Sequence, residues 1–66
     1  MEISVNGEMN DLPEGMTVMG LLEKMALMDR RLAVEVNLEI VPRSQHLTHV
    51  LQDGDRVEIV HAIGGG

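Results

Sequence analysis

The 66-residue chain carries eleven acidic residues against five basic ones, a formal net charge of −6, no cysteine and no aromatic residue. A chain this short is one domain that buries only about 60% of its unfolded surface. Without cysteine it has no disulfide staple, no thiolate nucleophile and no cysteine-ligated zinc. Without aromatics it has no platform for base stacking, and its negative charge opposes a phosphate backbone; nucleic acid is not an expected partner, whereas a basic protein surface is. "MEISVNG" lacks the cationic start of a signal peptide, and no run approaches the roughly 18 apolar residues of a membrane span. The expectation is a small cytoplasmic domain, monomeric when free, with no membrane partner.

The chain opens with "EISV", in which Ile3 and Val5 alternate with polar residues at strand period. Asn6-Gly7 follows, the strongest short signal for a tight hairpin, because both corner positions want positive φ. The second strand is expected to turn Met9 and Leu12 inward. After the turn "PEG", Thr17 is placed to cap a helix, and Val18, Leu21, Leu22 and Met25 recur at helical spacing as one apolar face. That helix is expected to run for about eleven residues, with Gly20 marking a close approach to the sheet. The methionines read as core filling. "LAVEVN" alternates again, with Leu32, Val34 and Val36 on one face; "LEIV" is a short strand that Pro42 ends. An irregular stretch follows, whose Leu47, Val50 and Leu51 are expected to close the end of the core. "QDGD" is a turn, and "RVEIVHA" is the last and most regular strand.

The order is ββαββ: an α+β chain with one helix across a mixed sheet whose first and last strands lie near each other in the middle. This is the β-grasp, or ubiquitin-like, arrangement, expected over residues 1–62 and followed by a flexible tail, residues 63–66. No constellation in it reads as an enzyme. His46 and His49 lack a third ligand for a metal site and read as solvated surface residues; His61, alternating with Ile59, is expected to be partly buried. Asp53 and Asp55 flank Gly54 as ordinary turn chemistry. The serines and threonines have no His/Asp partners, and the triple glycine precedes no helix, so it cannot cradle phosphate. No catalytic residue, metal or bound cofactor is expected.

The tail itself remains. Gly64, Gly65 and Gly66 bury no side chain and cost the most backbone freedom on ordering. Ile63–Gly66, extended, reach about 13 Å past the last strand. Lacking Cβ atoms, the glycines fit a narrow channel, and the Gly66 carboxylate, once converted to an acyl adenylate, is an unhindered electrophile. An idle, frayed end is the plainer alternative.

The sequence resembles the sulfur-carrier family ThiS of bacterial thiamine biosynthesis. The likeness rests on "VNGE", "TVMGLLEKM", "VEVNLEIVPRSQ" and, most specifically, "LQDGDRVEIVHAIGGG". It implies a cycle on Gly66. An E1-like adenylyltransferase, ThiF, consumes ATP to adenylate it. Sulfur from a cysteine desulfurase relay then leaves a thiocarboxylate, and thiazole synthase, ThiG, takes that sulfur into the thiazole ring. The lack of cysteine agrees, since a side-chain persulfide is unavailable. The resemblance also implies two docking surfaces: the tail Ile63, Gly64, Gly65 and Gly66, and a partner-binding patch on the outward face of the last strand, Glu58, Val60 and Ala62. Three rivals stand beside this reading: the related carrier of molybdopterin synthesis, which shares the fold and the Gly-Gly end; a ubiquitin-like modifier that conjugates to lysines; and an interaction domain with an idle tail.

Overall fold

The computed structural model describes residues 1–28 and 31–61. Strands β1 (Glu2–Val5) and β2 (Glu8–Asp11) form the first hairpin, α1 (Val18–Lys24) follows, then β3 (Leu32–Val36), β4 (Glu39–Val41), a 3-10 turn (Arg43–Gln45) and β5 (Arg56–His61). The five-stranded sheet has the order β2-β1-β5-β3-β4. β5 therefore occupies the centre, parallel to β1 and antiparallel to β3. The β-grasp expectation holds, and the residue alternation explains it. Ile3, Val5, Val34, Val36, Val41, Val57 and Ile59 all face the helix and join Leu12, Val18, Leu21, Leu22 and Leu51 in one aliphatic core. Among the described residues, no helix is long and apolar enough to cross a membrane.

Several local expectations change. The helix has seven residues. It stops because Ala26 takes φ 57°. The Ala26 N–H then donates to the Glu23 carbonyl, and the Leu27 N–H to the Leu22 carbonyl, the left-handed stop usually made by glycine. Met25 is consequently exposed instead of completing the apolar face. Gly20 does not approach the sheet: a Cβ there would meet Met16 Cγ at 3.2 Å and Thr17 Oγ1 at 3.5 Å. Met9 pairs with Ser4 on the outward face and is 67% exposed, so only Leu12 of the expected inward pair is buried. Leu51 closes the core, but Leu47 and Val50 point to solvent.

Thr17 caps the helix as expected, its Oγ1 accepting from the Gly20 N–H at 3.1 Å. The segment after the 3-10 turn satisfies two more of the N–H groups that a helix start leaves open. Val18 N–H donates to the His49 carbonyl at 3.0 Å and Met19 N–H to the His46 carbonyl at 2.9 Å. The segment read as irregular thus straps the helix start to the sheet.

Candidate functional site

In the sequence, β5 is followed by Ala62, Ile63 and then the glycine run. Its pairing on both sides fixes which side chains face outward. Val57 and Ile59 are buried beneath the helix, so Glu58 and Val60 stand on the opposite face, as expected; Val60 is 55% exposed and Glu58 half-buried. Ala62, the third expected patch residue, and Ile63, Gly64, Gly65 and Gly66 lie outside the described residues, as does the expected boundary between residues 62 and 63.

The register extends the patch beyond β5. Val60 lies opposite Ala33 and Glu58 opposite Glu35, while Glu35 lies opposite Ile40 of β4. Directly opposed side chains share a face, so Ala33, Glu35 and Ile40 belong to the same outward surface. Ile40 is 62% exposed. The alternation in "LAVEV" and "EIV" held this information, but the strand order was needed to bring these residues beside β5. Two carboxylates directly opposite each other repel. Among the described residues neither Glu35 nor Glu58 has an ion-pair partner. The outward face thus combines an apolar strip with two carboxylates that have no ion-pair partner among the described residues.

Two asparagines hold β5 in position, each from a hairpin corner. Asn6 Oδ1 accepts from the Ile59 N–H at 2.8 Å, and Asn6 Nδ2 donates to the Ile59 carbonyl at 3.2 Å. This side-chain bridge carries the β1–β5 ladder past the last backbone pair, Val5 with Val57. At the other end of β5, Asn37 Oδ1 accepts from the Arg56 N–H at 3.0 Å, and Asn37 Nδ2 donates to Asp55 Oδ1 at 2.9 Å. Sequence reasoning found Asn6 only as a turn former and missed Asn37; nothing in the residues next to either carried a sign of the long-range bridge.

The remaining candidates have structural roles. His46 is buried, contrary to the expectation of a solvated residue, because its ring Nε2 sits 3.0 Å from the Val41 carbonyl and ties the 3-10 segment to β4. His61 is exposed, where partial burial was expected: at the end of β5 it extends beyond the helix. No group of three His, Cys, Asp or Glu able to hold a metal exists among the described residues. Asp53 Oδ1 accepts from the Glu2 N–H at 2.6 Å and Asp55 Oδ2 from the Gln52 N–H at 2.8 Å. Both carboxylates therefore fasten the turn before β5. A cavity of about 120 Å³ between the helix end and the start of β3 is lined chiefly by Met19, Leu22, Leu27 and Leu32.

The ThiS family model matches residues 3–66. The chain is 36% identical over 66 residues to the sulfur carrier protein ThiS of Escherichia coli, with all of both chains covered. It is 46% identical to a thiazole synthase of Paramagnetospirillum magneticum over all 66 residues, and spans only 20% of that protein's length. A solved structure of a ThiS thiamine biosynthesis protein from Geobacter metallireducens superposes with a TM-score of 0.87 at 30% identity, again covering both chains fully.

Proposed function

Because the chain belongs to the ThiS family, we propose that it is a sulfur carrier of thiamine biosynthesis, a co-substrate and not an enzyme, with Gly66 as the residue that bears the sulfur. The observation that carries this reading is the central strand β5, paired on both sides and followed directly by Ala62-Ile63-Gly64-Gly65-Gly66. A rigid strand delivers an unbranched peptide to a fixed point, and glycines without Cβ atoms pass where other residues do not.

A Gly66 carboxylate is ionised near neutral pH and is a poor acyl donor. In the proposed cycle its oxygen attacks the α-phosphorus of ATP on an E1-like adenylyltransferase of the ThiF kind, and pyrophosphate leaves. Persulfide sulfur from a cysteine desulfurase relay, reduced to the sulfide level by a dithiol that is oxidised to its disulfide, attacks the acyl carbon. The new C–S bond forms as the C–O bond to AMP breaks, leaving a thiocarboxylate. A thiazole synthase then takes the sulfur. The chain's own contribution is presentation: Asn6 and Asn37 fix β5, Ile63–Gly66 enter the partner's cleft, and the Glu58/Val60 face with Ala62 docks against basic partner surfaces. The chain holds no cofactor of its own; ATP is spent by the partner. The cycle runs in the cytoplasm, where ATP and the desulfurase are.

The test is the mass of the C-terminal fragment after incubation with the adenylyltransferase, ATP and a sulfur source. Exchange of oxygen for sulfur adds about 16 Da, nearly the increment of a methionine sulfoxide. The fragment after Arg56 contains no methionine, so a gain there, blocked by deleting Gly66 and trapped by a thiol alkylator, reports the thiocarboxylate. No gain under these conditions overturns the reading; a ladder of conjugates to lysines points to a modifier instead.

A further inference from the structure

We propose that Leu38, at the tip of the β3–β4 hairpin, is a docking anchor that seats in an apolar notch of thiazole synthase rimmed by lysine or arginine. The proposal deepens the sulfur-carrier reading and rests on it.

A two-residue hairpin with positive φ at both corners strongly favours glycine at the second. The first hairpin obeys, with Asn6 at φ 49° and Gly7 at φ 85°. The second repeats the geometry, with Asn37 at φ 52° and Leu38 at φ 70°, but places a γ-branched side chain where a Cβ crowds the following carbonyl. Leu38 buries little inside the chain in exchange, bordering only a shallow surface pocket with Asn37, Gly54 and Arg56. It is 75% exposed, more than any other large apolar residue described, and the bonds that hold the turn belong to Asn37. A strained residue that buries so little in its own fold is the kind of outlier from which a function is inferred.

Its surroundings say what occupies it. Ile40, two residues on, continues from Leu38 onto the outward face that holds Glu35, Glu58, Ala33 and Val60. The β3–β5 ladder from Val36–Val57 to Leu32–His61 spans about 13 Å. One partner surface therefore covers Leu38 at one end of this strip and receives the tail at the other. Glu35 and Glu58 lie along the strip without an ion-pair partner among the described residues, so the complementary surface is cationic around its apolar notch. Thiazole synthase is the partner assigned because proteins of that name carry a close relative of this whole chain within their own.

The experiment is calorimetric titration of purified thiazole synthase with the full chain and with Leu38→Gly, Leu38→Asn and Val60→Asp, each checked by thermal melting. Leu38→Gly and Leu38→Asn are expected to melt close to the parent temperature and to bind about tenfold more weakly, with thiocarboxylate formation on Gly66 unchanged. Parent-like binding by both overturns the anchor; if Val60→Asp still weakens binding, the docking face stands without Leu38. If the parent chain does not bind thiazole synthase, or if Leu38→Gly only dissolves a dimer of this chain, the proposal falls as well. Absence of thiocarboxylate formation in the parent chain as well as in the variants would strike the carrier reading instead.

Discussion

The two hairpins of this molecule share one corner and differ at the other. Each begins its turn with asparagine, and in each the asparagine side chain reaches β5: Asn6 grips the Ile59 backbone, Asn37 the Arg56 N–H and Asp55. The second corner is open in both: a Cβ at Gly7 would meet nothing within 4 Å, and Leu38 is mostly exposed. It is Gly7 in one hairpin and Leu38 in the other. The first corner is thus set by a long-range contact and by φ together, the second by φ alone. A residue that departs from the φ preference there reports a demand from outside the fold.

Substitutions can break this comparison in graded steps. Asn6→Ala removes two bonds to a part-buried backbone and leaves alanine in a left-handed corner. It should cost about 3 kcal/mol and lower the melting temperature by roughly 10–20 °C. Asn37→Ala loses bonds that are solvent-exposed; urea unfolding should place it near 2 kcal/mol. If the two asparagines cost the same, burial does not separate the two clamps. Gly7→Leu copies the second hairpin's corner into the first. No atom lies within 4 Å of the new Cβ, so backbone strain alone should register, about 1 kcal/mol by the same denaturation. Leu38→Gly is the smallest: relief of the strained corner and the greater chain entropy of glycine nearly cancel, and stability should stay within about 0.5 kcal/mol of the parent. A loss well beyond that would show that Leu38 packs within the fold.

Much of this architecture was legible because its signals are local. Alternation in "EISV", "LAVEV" and "RVEIV", the Asn6-Gly7 corner and the Thr17 cap each depend on residues a few positions apart, and each holds. What failed depends on neighbours distant in sequence. Met25 was read as inward because nothing in "KMALM" announces that Ala26 will take the left-handed stop. His46 was read as exposed because its partner, the Val41 carbonyl, belongs to a strand that must first turn back over it. Glu58 and Val60 of the outward face were visible in the last strand. Ala33, Glu35 and Ile40 joined it only through strand order, which no periodicity encodes. The glycine run was the most telling stretch of sequence, since its chemistry depends on what it lacks and not on what surrounds it.

The parallel pairing of β1 with β5 also has a mechanical meaning. The start of β1 and the end of β5 lie at opposite ends of the sheet. Tension between the N-terminal strand and the tail therefore runs along both strands in shear. The Ser4–Asp55 and Asn6–Val57 backbone bonds, at 3.0 and 2.9 Å, and the Asn6 bridge to Ile59 share the load side by side, where a peeled hairpin would yield them one at a time. A pull on the chain beyond His61 is therefore borne by these bonds together, without unravelling the domain.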